Sequence, residues 1–471
     1  MSAMDLFDSA RFFRALWKLP VWRLAASGLE ATGHLLDLPH RVPEIAPGGA
    51  RPLDAYMARG PAGELAAGAA AIDITPRNPE GFFLAGFGSA RRCLALRDPL
   101  FARCLFLCDG QTPWLLIALD LIGLSLPRCA RIRARISERF QHAVWLACTH
   151  SHESPDTLGL WGPALGGLLP YRTGLDDAYL SWLEERILEC AGRAIAAARP
   201  ARLHLASGLF DRAGKWIHNE RSPVIDRSLR VMHLRDQQGA ALATLVQHAC
   251  HPETLWSDNQ RMSADFCSVC CRSVERALGG VALYVNGALG AMVSAAVGHS
   301  TPVAQREALV DRLGQELGRA AIRLARRSLD APCDQTHLSV AVEPVCFPAE
   351  HNALYRLVHA LGVVEHRELA GGLRSEVCLA RIGPATMLGL PGEPAPALGL
   401  ELLERIDGEP RFLLGLCNDE LGYLLPPEYF HDPAYAYEQT MTPGPLAATR
   451  LALAVERLAA RLAVDPPDAD G

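Results

Sequence analysis

Long hydrophobic runs are missing from this 471-residue chain. No window approaches the roughly eighteen uninterrupted apolar residues that a membrane-spanning helix needs, which excludes one. The N-terminus, MSAMDLFDSARFFRALWKLP, lacks the basic stretch followed by an apolar core that a secretory signal requires, so a cytoplasmic protein is expected. Positive charge is also short: 46 Lys and Arg stand against 52 Asp and Glu, for a net charge of −6. Without a basic excess there is no general attraction to phosphate backbones, and no nucleic-acid partner is expected. The 14 cysteines lack the spacing of a disulfide framework and read as reduced thiols. Their tightest group, Cys267, Cys270 and Cys271 in ADFCSVCCRSVERAL, has no second CxxC to complete a metal site and follows an amphipathic-helix pattern. A GxSxG nucleophile elbow is absent too.

What is present is the composition of an ordinary folded enzyme, 49% hydrophobic and 21% charged. Residues 1–28 interleave Phe12, Phe13, Trp17 and Trp22 with Arg and Lys, a pattern for peripheral membrane contact or for an arm packed on the body or on a second subunit. Residues 37–61 are rich in Pro and Gly and read as a connector. The chain therefore divides into an N-terminal extension over 1–62, one large catalytic domain over 63–464 and a frayed tail over 465–471.

From Ala66 onward short apolar runs alternate with 3.6-period segments, the signature of an α/β fold. Strands are predicted at 100–107, 114–119, 143–148, 202–207, 229–234, 243–249, 282–285, 338–342, 377–382, 386–390 and 411–416. Helices are predicted at 126–140, 177–198, 305–328 and 445–464. Asp109-Gly110, Gln238-Gly239 and Gly383-Pro384 carry hairpin-turn chemistry, so the sheets should be mixed and partly antiparallel, covered by helices.

Four predicted strands end in residues able to bind metal or substrate, where α/β sheets place their ligands. AVWLACTHSHESPD ends in His150 and His152, which on an extended chain would project to the same side. They can share one metal, or one can hold metal while the other contacts substrate. HACHPETLW releases His251, LGLPGEP releases Glu393, and CNDELGY releases Asn418, Asp419 and Tyr423. Two imidazoles and a carboxylate form the His2Glu set of hydrolytic zinc sites, where Zn2+ lowers the pKa of water from about 15.7 towards ~7. In YVNGALGAMVSAA the turn from Asn286 to Gly290 is expected to floor the substrate pocket, and Ser294 reads as a loop serine. Apolar residues of loops 155–173 and 346–374, Trp161 among them, suit a greasy substrate.

Together these stretches resemble the neutral ceramidase family, zinc amidohydrolases that cut the amide of N-acylsphingosine. The likeness runs over most of 66–444, through GAAAIDITP, LAGFG, THSHESPD, HACHPETL, LPGEP and the segment from Tyr423 to Glu438. It implies His150, His251, Glu393 and Tyr423 as zinc ligands, with His152 and Tyr437 facing the scissile amide. NERSP implies Arg221 as a contact to substrate or transition state. The chain departs from the family at Gly290-Ala291-Met292-Val293-Ser294, where Val293 or, with a one-residue slip, Ser294 falls on a serine the family uses in activity. The broader expectation is hydrolysis of a lipid or other N-acyl amide. The alternatives are a ceramidase-like protein that only binds such amides, and a zinc esterase or peptidase using the same residues.

Overall fold

The computed structural model describes residues 42–43, 51–61, 63–165, 169–294, 297–298, 300–348, 353–365, 367, 369 and 371–463. The segment 1–28, read as a membrane-contacting stretch or a packed arm, and the tail 465–471 lie outside them.

Two sheets stack face to face. The first has eight strands: β1 (Ala66–Asp73), β2 (Phe101–Cys108), β3 (Pro113–Leu119), β4 (Val144–Cys148), β5 (Arg199–Leu209), β6 (Ser228–Asp236), β7 (Ala241–His248) and β8 (Val281–Asn286). Their order is β8-β7-β6-β5-β1-β2-β3-β4. The second is β9 (Leu338–Phe347), β10 (Leu373–Ile382), β11 (Ala385–Gly389) and β12 (Arg411–Leu414), in sequence order. Leu107, Trp114, Leu116 and Trp145 of the first sheet pack with Ala380, Met387 and Phe412 of the second in one buried core.

Helices close the two outer faces. α1 (Pro52–Ala58), α2 (Leu126–Ile136) and α3 (Asp177–Ala196) share a core with β1 to β4. α4 (Asp265–Leu278) and α5 (Val303–Arg327) cover β6 to β8, burying Cys267, Cys270 and Cys271 as core thiols. α6 (Ala353–Ala360) precedes β10, while α7 (Pro396–Leu403) and α8 (Ala447–Ala463) cover the second sheet. With helices on one side and a second sheet on the other, β3 and β4 are buried at every position. That is why they read as continuous apolar runs rather than alternating ones.

The mixed α/β architecture is as expected, and all three turns named above close antiparallel hairpins. Some boundaries differ. α2 stops at Ile136 rather than at 140, because Ser137 turns to extended backbone and its hydroxyl bonds Asp54 at 2.6 Å. The expected connector holds a short helix, α1, which begins on Pro52 and buries Leu53. β1 was missed by periodicity because AAGAAAID offers neither β-branched bulk nor clean alternation. Its Gly68 is a close approach, since a Cβ there would stand 2.2 Å from the carbonyl oxygen of Ala194 in α3.

Candidate metal centre and cavity

The pairs β3/β4, β7/β8 and β11/β12 run parallel, so within each pair the carboxyl ends point the same way. Residues just past them carry the polar chemistry. The chain beyond β4 leaves the extended conformation at His150, whose φ is +68°. The two histidines therefore converge through a left-handed kink and not through strand alternation, a correction to the expected geometry. Such a residue costs on the order of 1–3 kcal/mol and persists only where its surroundings hold it. Here the His150 N–H donates to the Leu121 carbonyl at 2.9 Å and the ring Nδ1 lies 2.7 Å from the Ile122 carbonyl. His251 is held in the same way, its backbone and ring Nδ1 both reaching the Met292 carbonyl at 2.8 and 2.9 Å.

A ring nitrogen facing a carbonyl must be the protonated one, which leaves both Nε2 atoms bare. Both point at the same carboxylate oxygen: Glu393 Oε2 is 2.9 Å from His251 Nε2 and 3.5 Å from His150 Nε2. Glu393 arrives on a two-residue parallel ladder that pairs Glu393–Pro394 with Tyr423–Leu424. Lone pairs and an anionic oxygen facing one another call for a proton or a cation between them. The protonation equilibria reflect that demand. Burial alone would raise the Glu393 carboxyl, but His150 and His251 hold it below the usual carboxylate range. Against its own burial, His251 is pushed above the imidazole range by Glu393.

His152 completes the cluster, its ring centroid 4.9 Å from that of His150 and 5.3 Å from that of His251. Nitrogens of the three rings lie within 4.8 Å of one another. Burial, and then the two neighbouring rings, push His152 well below the imidazole range, and neither of its ring nitrogens has a hydrogen-bond partner. This donor set suits a metal ion, which would take the place of the proton between His251 and Glu393: imidazoles oriented by backbone carbonyls at Nδ1, a carboxylate, and an orphaned buried ring. His150, His152, His251 and Glu393 are the residues that could hold it.

His150, His152 and Glu393 line a cavity of about 930 Å3, open solvent at its mouth included, and His251 stands outside that lining. Leu158, Leu160, Trp161, Val358, Val364 and Leu421 give that cavity apolar walls, and Tyr423 and Tyr437 share its lining with His150 and His152. The two tyrosine rings meet edge to face at 6.0 Å. Burial and then Glu393 push the Tyr423 phenol up, which keeps it neutral. Trp161 is placed by Asp156, whose carboxylate accepts from the backbone N–H groups of Leu158, Gly159 and Trp161 at 2.7–3.0 Å.

Three expected contacts lie behind the cavity rather than in its lining. Asn286, fully buried, donates to the carbonyls of Thr149 and Cys250 at 3.0 and 2.8 Å and accepts from Cys250 N at 2.9 Å. It clips the chain after β4 to the chain after β7, so it positions the histidines and floors nothing. Gly290 backs the Glu393 turn, where its N–H donates to Pro394 O at 2.9 Å and a Cβ would press on the Glu393 carbonyl at 2.8 Å. Ser294 is buried with its hydroxyl 2.9 Å from Thr254 Oγ1, while the preceding Val293 bridges His251. Arg221 also lies outside the lining, its Nε donating to Glu438 Oε1 at 2.9 Å beside Tyr437.

Several site residues escaped the sequence reading. Ser125, Glu365, Arg367 and Glu420 line the cavity, and Glu253 lies 3.6 Å from the His152 ring. Burial raises Glu253 to about 7, against the pull of His251. An acid just after a strand gives no distinctive signal, and Arg367 had none either, being placed by its ion pair to Asp419.

No protein-family model matches the chain, and no curated protein matches it in sequence. Solved structures do match in fold. Neutral ceramidase from Pseudomonas aeruginosa superposes with a TM-score of 0.68 at 16% identity, over 84% of this chain and 75% of that one. A structure described as ceramidase complexed with C2 gives 0.67 at 16%, over 85% and 75%. The fold is thus that of the neutral ceramidases.

Proposed function

We propose that this chain is a divergent neutral ceramidase-like amidohydrolase, which uses Zn2+ to cleave the amide of an N-acyl lipid. The observation that carries the reading is the convergence of the His150 and His251 Nε2 atoms on Oε2 of Glu393, a carboxylate that lines a cavity with apolar walls. The shared fold gives that convergence its chemical direction.

His150, His251 and Glu393 would hold the ion, with Tyr423 beside them as a further ligand. Zinc bound there supplies a Lewis acid that polarises a carbonyl and lowers the pKa of water. The apolar walls around Trp161 take up the acyl chain and keep bulk water from the reacting carbonyl. The Tyr437 hydroxyl is placed to donate a hydrogen bond to a developing oxyanion, a contact worth ~3–4 kcal/mol, while His152, its ring nitrogens free of other partners, is placed to accept or relay a proton there. Arg221, whose Nε donates to Glu438 Oε1, would act from outside the cavity lining through the segment that carries Tyr437. An ester would meet the same groups, so the bond cleaved is a question for substrates.

The test is metal analysis of the purified protein beside His150→Ala, His251→Ala and Glu393→Gln, with hydrolysis of a fluorogenic N-acyl amide followed in parallel. Near-stoichiometric zinc in the parent, lost together with turnover in each variant, is expected. Full zinc in all three variants would refute the site. Zinc without turnover of any amide or ester would mark a protein that only binds such lipids.

A further inference from the structure

His152 is caged. A Cβ on Gly86, whose φ is +93°, would stand 2.2 Å from His152 Cγ, so the loop backbone lies flat against the ring. The Phe87 ring meets it edge-on at 4.9 Å, and Arg91 donates to the His152 and Ala85 carbonyls. These contacts fix where the ring lies. None of them distinguishes its two nitrogens.

The loop after β7 supplies that distinction. The His152 N–H donates to the Pro252 carbonyl at 3.1 Å, which ties this loop to the histidine loop and brings the next side chain alongside the ring. That side chain is Glu253, with Oε2 at 3.6 Å from Nδ1. Among the described residues it is the one carboxylate to approach the His152 ring within 4 Å. Its other oxygen is buried without a hydrogen-bond partner. His150 and His251 take their tautomers from backbone carbonyls; His152 has no such carbonyl.

Resting on the amidohydrolase reading, we infer that Glu253 is a positioning residue for His152. It draws the ring proton to Nδ1 and leaves Nε2 as the free nitrogen for the reacting centre. The carboxylate would act through the imidazole, as carboxylate partners of histidines do at metal sites, where loss of the partner lowers activity or metal affinity about 10- to 100-fold.

Two measurements on the full chain test this. In long-range 15N–1H spectra of protein labelled at histidine, with the His152 signals assigned by their loss in His152→Asn, the parent should show a protonated Nδ1 and a bare Nε2. Glu253→Ala should lose that preference, and Glu253→Gln, which keeps an acceptor oxygen, should retain part of it. A proton on Nε2 in the parent, or identical ring shifts in parent and Glu253→Ala, overturns the inference. The parent spectrum alone can do so should the alanine variant fail to fold.

In turnover of the N-acyl amide, Glu253→Ala should lower kcat about 10- to 100-fold with KM within about twofold and zinc content unchanged, and Glu253→Asp should recover part of the loss. Unchanged kcat, or a loss that tracks loss of zinc, overturns it as well. An Nδ1-protonated His152 in a protein that hydrolyses nothing would sink the amidohydrolase reading and leave the positioning role standing.

Discussion

Single residues set the geometry here by closing distances that the chain would not close by itself. Asn286 does so with one side-chain amide, satisfying two carbonyls and one N–H on segments 36 and more residues away. Asn286→Ala would leave those groups buried and unpaired. We expect a loss of roughly 2–4 kcal/mol, since each orphaned group costs about 1–3 and relaxation recovers part. Urea unfolding measures it, and zinc affinity should fall in parallel because the clip joins the two histidine loops. An unchanged urea midpoint with normal zinc content would refute the clip. Two site residues carried different amounts of signal in sequence. His251 was legible because an apolar strand pattern broke at a histidine followed by proline. Glu253, two positions on, was not, because an acid after a strand is commonplace and only the packing of another loop against it gives it a partner.

At the level of elements, parallel pairing is what gathers the site. β3/β4, β7/β8 and β11/β12 each release their carboxyl ends together, and the loops beyond them need only two to four residues to reach the cluster. The strand positions were legible from apolar runs and turn dipeptides, with ends shifted by a few residues. Which strand lies beside which was not, since β1 to β4 and β5 to β8 meet through a β1–β5 pairing that spans only Ala66–Ala67 against Arg199–Pro200. The packing of α3 on β1 gives a direct prediction. Gly68→Val would drive a branched side chain into the backbone of Ala194 and Ala198. Overpacking of this kind costs typically 1–3 kcal/mol, and more where backbone is the obstacle. Thermal unfolding should show a drop in Tm of several degrees with zinc content kept, and an unaltered Tm would contradict the close approach.

For the whole molecule, four layers bury a large charged inventory along with the apolar core. Asp120 pairs with Arg103 at 3.2 Å, yet burial outweighs the pairing and raises the acid from 3.8 to about 6. Asp156 is raised equally by burial, against four backbone N–H groups. Between pH 4 and 6 the folded protein retains protons on these acids that the unfolded chain has released. The stability they confer is therefore present near pH 4 and lost as pH rises through 6, on the order of 1–3 kcal/mol for each. Urea midpoints should fall between pH 5 and 7.5, and Asp120→Asn should flatten that fall; a midpoint rising over this range in the parent would contradict the assignment. No helix among the described residues is long and apolar enough to cross a membrane, as the lack of long apolar runs required.

The sequence by itself determined the fold class, most strand positions and the identity of the metal-binding candidates. These follow from local pattern: periodicity, turn chemistry and the polar residues at strand ends. Tertiary structure alone decided that His150 reaches the site through a left-handed kink, that Asn286 and Gly290 support the centre from behind, that Ser294 spends its hydroxyl on Thr254, and that Glu253 stands against His152. Each of these depends on which distant backbone lies within 3 or 4 Å. That proximity is set by how the eight-stranded sheet and its partner sheet pack, which no local pattern encodes.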